Sequence, residues 1–567
     1  MTDARHVLVV GAGPAGLAAA ESALAAGARV TLLDSSDELG GQYWRHLPAA
    51  RPAAHEERLH HGWQGFLRRR SVLAQHPDCT IVTEAQVWAL ETGDAAGRGP
   101  VTAHVLVGPP DGTDRTPRTY RPDALVLATG AHDRTLPFPG WQLPGVYSAG
   151  AAQALAKGER VSIGDRVIIA GAGPFLLPVA KSLTQTGARV VGVFEASTPA
   201  RLLRGWSSKP LELLGARGKA PELVEYALGH LRHRIPYRTG WAVVEAHGTD
   251  RVEGVTVQKV DASWAPIPGT RRRIAADAVA VSHGFTPRLE LAIAAGCDIT
   301  SDRFVRVDDV GRTSVPGVFA AGEITSIGGA DAALAEGSVA GHVAAGGDPA
   351  DVSLRADRRR RRTFTAFAAR LERAHGIRAG WTGWLRDDTM VCRCEEVSCG
   401  TIRSTVRRTA QTGVRSVKLT TRAGLGICQA RICGRTVEEL IRTAEHDAAP
   451  ASVSASANGS VSRTVSTKAS AKHPAVTPDA SLSAPGDSGT DPVRPPVSTD
   501  RRPIVSPVRL GELAGLAASA RPSLGAADLG GSTDDRDAAV VSAAPDLLDP
   551  PDLPDLPDAR PARSAED

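Results

Sequence analysis

The stretch "HVLVVGAGPAGLAAAESALAAGARVTLLDSS" spans His6–Ser36 and decides how the rest of the chain is read. An apolar strand runs into a glycine turn. A small-residue amphipathic helix follows, and a second strand ends at Asp34. Gly11, Gly13 and Gly16 form G-x-G-x-x-G. The first permits the tight turn, the second lets the backbone approach a pyrophosphate, and the third lets the helix pack close to the strand. The helix N-terminus offers free N–H groups to phosphates. A carboxylate at Asp34 can accept hydrogen bonds from a ribose. Strand, turn, helix and acid in this order predict a dinucleotide-binding unit.

The pattern returns in "DRVIIAGAGPFLLPVAKSLTQTGARVVGVFEAS", with Gly171, Gly173 and a strand-ending Glu195. Leu176 replaces the third glycine, so the helix must stand off the strand or the turn must open. The unit is a second nucleotide site or a repeat without a ligand. Were the ligand a nicotinamide cofactor, Glu195 would favour the form lacking a 2′-phosphate. Two further glycine signals flank this unit. "DALVLATGAHDR" ends an apolar strand at Thr129-Gly130, and "GVFAAGEITSIGGADAALAEGSVAGHVAA" places Gly322-Glu323 between a strand and a long helix.

At 567 residues the chain predicts several domains. From Asp447 onward there is no aromatic residue and no cysteine, and this stretch holds 17 acidic and 11 basic residues. Such a segment cannot offset its chain entropy by burial and is expected to be disordered. The formal net charge is +4, which leaves +10 on residues 1–446. That excess does not argue for nucleic acid. The run Arg358–Arg362 sits in a helical pattern and reads as a solvated helix face. In the tail, Pro507–Ala520 could form one weak amphipathic turn. The start lacks a signal-peptide layout and no 18-residue apolar run appears, so a cytoplasmic location without a transmembrane segment is expected.

Five of the seven cysteines lie in "VCRCEEVSC" (Val391–Cys399) and "GICQARICG" (Gly426–Gly434). Cys392 and Cys394 form C-x-C, and Cys428 and Cys433 form C-x-x-x-x-C. Both pairs fall in loops at predicted helix starts, where thiolates are favoured. Four thiolates suit [2Fe–2S] or Zn²⁺. Cys399 reads as a small residue at a helix start. Cys79 and Cys297 read as buried structural thiols, neither with a partner cysteine nearby in sequence for thiol–disulfide exchange. No Ser/His/Asp set, histidine metal cluster or carboxylate pair appears, and no catalytic residue is assigned. His132 reads as a loop histidine.

Residues 5–346 resemble the flavoproteins with two dinucleotide-binding domains, a group that includes thioredoxin, glutathione and ferredoxin reductases. The resemblance implies an α/β fold: a Rossmann-like FAD domain interrupted by an NAD(P)-like one, then a small helical [2Fe–2S] domain and a disordered tail. The expected divisions are 1–155 and 285–348 for the FAD domain, 156–284 for the insertion, 349–387 for a linker helix, 388–446 for the cluster domain and 447–567 for the tail. By this resemblance Gly11, Gly13, Gly16 and Asp34 would hold the ADP half of FAD. Gly41 and Gln42, in "GGQYWRH", would pass beside the ribityl chain and flavin. Thr129 and Gly130 would lie near the cofactor, and Gly322-Glu323 would stand for the family's closing Gly-Asp. Gly171, Gly173 and Glu195 would serve NAD(H) or another adenine nucleotide.

The cysteine region resembles the bacterioferritin-associated ferredoxin type, with Cys392, Cys394, Cys428 and Cys433 as ligands of [2Fe–2S]. The wider C-x-x-x-x-C, "ATGAHDRTLPFPGWQLPGVYSAGAAQ" and "GAGPFLLPVA" resemble the A-type subunits of opine oxidases, hydrogen cyanide synthase and FAD-linked D-hydroxyproline or proline dehydrogenases. The resemblance implies the electron-transferring subunit of a heteromeric amino- or imino-acid dehydrogenase. Its partners would be an oxidase-like FAD subunit carrying the substrate site and a small ferredoxin-like subunit, with no nucleic acid. A self-sufficient NADH-dependent reductase, passing electrons through the cluster to a carrier protein, is the alternative.

Overall fold

The computed structural model describes residues 4–48, 50–51, 55–93, 99, 101–208, 212, 214–409, 413–448, 505–509 and 512. Its first sheet has five parallel strands in the order Val318–Ala320, Ala124–Leu127, His6–Val10, Arg29–Leu33, Cys79–Val82. Their aliphatic runs are buried on both faces, as parallel strands require. Helices Pro14–Ala25 and Gly329–Ala344 cover one face, and an antiparallel sheet of Ala85–Thr92, Val101–Val107 and Thr116–Tyr120 covers the other.

The second sheet is again five parallel strands, in the order Tyr237–Thr239, Arg189–Glu195, Arg166–Gly171, Ala278–Ser282, Val146–Ser148. It forms entirely between two strands of the first sheet, Ala124–Leu127 and Val318–Ala320. The fold is therefore one dinucleotide-binding domain with another inserted in it. A short antiparallel pair, Ala131–Asp133 with Phe285–Pro287, joins the outgoing and returning chain.

The two glycine turns differ. The first helix starts at Pro14, directly after Gly13. A Cβ on Gly16 would fall on the carbonyl of Gly11, so only glycine fits. The second helix starts at Leu176, three residues after Gly173. Leu176 and Leu177 donate back to the carbonyls of Gly173 and Pro174, and the Leu176 side chain is wholly buried. Of the two routes open to a leucine there, the chain takes the opened turn.

Helix Arg355–His375 leads from the first domain to the C-terminal part. Within its basic run, Arg360 pairs with Asp331 and Arg361 lies 3.8 Å from Glu336, so two of the five arginines bind the preceding helix instead of facing only water. The C-terminal part has a short strand pair, Met390–Cys392 and Val397–Ser398, and helices Cys399–Thr409, Val414–Thr421 and Gly434–Ala448. The stretch 447–567, expected to be disordered, falls mostly outside the described residues, as does most of Pro507–Ala520. The described part, Val505–Arg509 with Glu512, lies on the antiparallel sheet. Val505 donates to the Trp88 carbonyl at 2.9 Å and is buried, and Glu512 takes a bidentate pair from Arg115 at 2.6 and 2.7 Å. No helix among the described residues is long and apolar enough to cross a membrane.

Candidate functional site: a cavity between two nucleotide folds and a thiol cluster at its mouth

One cavity of about 1490 Å³ runs from the first glycine turn to Pro174 and Phe175 at the start of the second unit's helix. Gly11, Gly13, Asp34, Gly41, Gln42, Thr129, Gly130 and Glu323 line it, whereas Gly16 and Gly322 stand behind its wall, packed against neighbouring backbone and alanines. Gly41 faces Gly13 so closely that a Cβ on it would sit 2.9 Å from the Gly13 Cα. The two glycines leave a groove bounded by backbone, which suits a pyrophosphate. The Asp34 carboxylate is held by the amides of Ala12 (2.6 Å) and Ser36 (2.8 Å) at the end of its strand. The Thr129-Gly130 turn is tied to the returning chain: Thr129 Oγ1 donates to the Arg288 carbonyl at 2.9 Å, and the Arg288 amide donates to Gly130 at 3.0 Å.

Glu323 has no hydrogen-bond or ion-pair partner among the described residues. Burial pushes its carboxyl up to about 7. A side chain one methylene longer than aspartate thus reaches the cavity as a neutral or anionic acceptor for a polar ligand. Sequence reading missed Lys157, the one lysine of "AGAAQALAKGE". It is 7% exposed, lines the cavity and donates to the Tyr43 carbonyl at 3.4 Å. Burial pulls its ammonium down to about 8. It lies in a one-turn π-helix, Leu155–Glu159, an element common at functional sites.

The second glycine turn is arranged differently. Gly171, Gly173 and Glu195 do not line the cavity. The Glu195 side chain is wholly buried and its oxygens accept from the Gly173 amide (3.1 and 3.3 Å) and Tyr237 Oη (2.8 Å). His375 Nδ1 lies 3.1 Å away. Trp206 Nε1, which can only donate, points at His375 Nε2 from 3.1 Å. Nε2 is then the acceptor, and Nδ1 carries the proton given to Glu195. The carboxylate thus ties the end of helix Arg355–His375 to the inserted domain, and Tyr237 and His375 take its place on the cavity wall.

The four cysteines of the two pairs come together. The Cys433 thiol hydrogen-bonds to Cys392 and Cys428, and Cys428 also meets Cys394. Those thiol donors, with the Gly424 amide on Cys392 and the Ile432 and Ala430 amides on Cys428, pull Cys392 down to about 6 and Cys428 to about 5. The Gly424 N to Cys392 Sγ distance is 3.4 Å. The loop between Cys428 and Cys433 turns its amides inward because Gln429 and Ala430 both adopt left-handed backbone, φ 50° and 67°. Such a concavity of N–H groups suits an anionic cluster. Four thiols brought together are the donor set that a [2Fe–2S] cluster takes, two per iron, so the residues fit that group. Cys399 stands apart, fully buried in the helical core, with its thiol pushed up to about 11 by burial. Cys297 is buried and Cys79 half-buried, and burial raises both thiols.

The thiol loop also reaches the cavity. Arg431 and Ile432, between Cys428 and Cys433, line it. His132 Nε2 lies 3.2 Å from the Arg431 carbonyl, two residues past the Thr129-Gly130 turn. Arg431 binds Glu290 at 3.0 Å and the Val505 carbonyl at 2.6 Å. Behind it, Arg134 meets Glu439 at 2.8 Å, Arg303 pairs with Glu438, and Trp141 Nε1 donates to the Met390 carbonyl at 2.6 Å.

Comparison with known proteins agrees with this architecture. The pyridine nucleotide-disulphide oxidoreductase profile matches residues 5–337, and the BFD-like [2Fe-2S] binding domain matches residues 390–443. The chain is 31% identical over 471 residues to the A-type opine oxidase subunit of Agrobacterium tumefaciens, covering 80% of this chain and 88% of that one. It is 32% identical over 464 residues to hydrogen cyanide synthase subunit HcnB of Pseudomonas aeruginosa, covering 78% and 94%. The solved L-proline dehydrogenase from P. horikoshii shares the fold, with TM-score 0.51 and 18% identity over 77% of this chain and 73% of that one. The chain belongs to the pyridine nucleotide-disulphide oxidoreductases, as an FAD- and [2Fe–2S]-containing enzyme related to the opine oxidase and hydrogen cyanide synthase subunits.

Proposed function

We propose that this chain is the electron-transferring subunit of a heteromeric dehydrogenase that oxidises an amino- or imino-acid C–N bond. The observation that carries the reading is the shared wall: the loop holding Cys428 and Cys433 also lines the cavity of the first glycine turn. FAD bound there would store two electrons, and [2Fe–2S] would pass them singly. Gly11, Gly13 and Gly41 would admit the pyrophosphate, with Gly16 keeping the helix close and Asp34 receiving the ribose. Gln42, Thr129, Gly130 and Glu323 would surround the rest of the cofactor, with Gly322 setting the turn behind. Cys392, Cys394, Cys428 and Cys433 would hold the cluster, and His132 would keep the two loops in register.

One observation supports a partner that oxidises the substrate. Helix Ala220–Arg232 has no buried residue and exposes Leu223, Val224, Leu228 and Leu231 beside the cavity, an apolar face of the kind that marks a protein interface. An oxidase-like subunit is the occupant this reading assigns to it, and the subunit names of the relatives agree. The engagement of Glu195 by Gly173, Tyr237 and His375 weighs against the NADH-dependent alternative, because no oxygen is left facing a ribose.

The test is anaerobic purification, a visible spectrum with iron and acid-labile sulfide counts, then stopped-flow reduction. FAD and two irons per chain are expected. Reduction should occur when an amino or imino acid is added together with the oxidase-like subunit, and not with NADH alone. Rapid reduction of both centres by NADH in the lone chain would overturn the reading in favour of the reductase.

A further inference from the structure

The thiol cluster has two sides. Cys392 and Cys433 are buried, whereas Cys394 is exposed and Cys428 half-buried. Gly426 packs directly on the Cys394 side chain, so its neighbours Leu425 and Ile427 flank the exposed thiol. Ile427 is 87% exposed, and Leu425 and Leu419, just before them in the chain, are also exposed. Large aliphatic side chains beside a redox ligand, held out in water, are not explained by the fold of this chain, since none of the three joins its core clusters. The charges around them are unbalanced. Arg415 and Lys418 lie on helix Val414–Thr421, whose end at Arg422 binds Glu395 at 2.6 Å, while Arg393 lies over the Trp141 ring at 5.3 Å, so in these segments four basic residues meet only Glu395 and Glu396.

We propose that this face, centred on Ile427 and Cys394 and rimmed by Arg415 and Lys418, is the exit port where an acidic one-electron carrier protein docks. The inference rests on the relay reading above and names its acceptor. A small apolar centre within a cationic rim selects a partner with the opposite pattern, since rim charges steer encounter and set its salt dependence. The exchange balances simply. One electron leaves the cluster for the carrier, no bond forms or breaks, and no proton accompanies it. Two carriers are reduced for each pair of electrons delivered to the chain. The cavity-lining side of the thiol loop, at Arg431 and Ile432, is the entry, so donor and acceptor never compete for one surface.

The experiment measures binding as well as turnover, on the full-length holoprotein. An acidic [2Fe–2S] ferredoxin and the basic haem protein cytochrome c serve as paired probes, titrated calorimetrically at low and moderate salt. The ferredoxin should bind, weakening with salt, and cytochrome c should not. The double variant R415E/K418E should weaken ferredoxin binding by about tenfold or more, and Ile427→Gln should weaken it without changing the salt slope. Iron content, cluster resonance and flavin spectrum should stay those of the parent. Equal binding of both carriers, or parent-like ferredoxin affinity in both variants, overturns the proposal. Absence of iron from the parent protein would instead defeat the relay reading on which it rests.

Discussion

Replacing Glu439 with alanine should loosen the cluster domain from the flavin domain. Its carboxylate receives Arg134 Nη2 at 2.8 Å and Trp381 Nε1 at 3.0 Å. The Arg134 side chain is only 6% exposed, and burial already lowers its pKa despite both neighbouring glutamates. Breaking one member of a buried pair costs about 3–5 kcal/mol, because the other charge stays buried. Glu439 itself is 29% exposed, so water screens the pair and the low end applies. About 3 kcal/mol is roughly a hundredfold in the equilibrium for local opening. Hydrogen exchange across helix Gly434–Ala448, read by mass spectrometry, reports that equilibrium directly. The double variant R134M/E439Q removes the stranded charge while keeping an acceptor for Trp381, and should recover to within about 1 kcal/mol of the parent. Exchange in Glu439→Ala unchanged within about 0.5 kcal/mol, or a double variant as loose as the single one, would refute the latch.

Gly13→Val should abolish FAD retention while leaving the melting temperature of flavin-free protein near the parent, because its branches fill the groove facing Gly41; normal flavin content would place the site elsewhere. Alanine at Cys392, Cys394, Cys428 or Cys433 should each remove the reduced-cluster resonance, whereas Cys399→Ala should keep it. The Glu323 carboxyl is raised to about 7 in the folded chain, so the stability it contributes is fully present below its unfolded value and is lost as pH rises through 7. Melting of flavin-free protein should therefore fall from pH 5 to 8 less steeply in Glu323→Gln than in the parent. Truncation after Ala448 should lower flavin retention and melting temperature, because it removes Val505, Ser506 and Pro507 from the cavity wall and Glu512 from Arg115.

The periodic parts of this chain could be read in advance, and the long-range ones could not. The two glycine turns announce themselves because strand, turn, helix and acid are contiguous. The two cysteine segments also stand out in sequence, but Cys399 follows Cys394 at the same interval as Cys433 follows Cys428, and it is its place at a helix start and its burial in the helical core that set it apart from the four that meet. The Leu176 substitution showed that something must give, but its open turn needed coordinates. Glu195 looked like a ribose acid because position in a strand is local, whereas the His375 that occupies it lies 180 residues away. Glu438 and Glu439 resembled any acidic pair on an amphipathic helix; nothing nearby in sequence marks Arg303 and Arg134 as their partners. Val505 sits in the short run "PIVSPVRL" inside a Pro-, Ser- and Asp-rich stretch whose composition predicts no core residue, and its socket is made by a sheet roughly 400 residues earlier.

These long-range contacts bear on how electrons can move. The cluster domain touches both nucleotide folds at once: Arg134 and Arg303 hold it on the first, while Trp384 Nε1 donates to the Trp264 carbonyl of the second at 2.9 Å. Helix Arg355–His375 adds the Glu195 tie. A rotation that carried the inserted domain toward or away from the first glycine turn would have to break buried charge pairs and tryptophan hydrogen bonds together, at several kcal/mol. The chain is therefore built to hold its cavity and its thiol loop at a fixed separation. A relay between two resident centres needs that rigidity, whereas a hydride donor that came and went at the second turn would need an accessible Glu195.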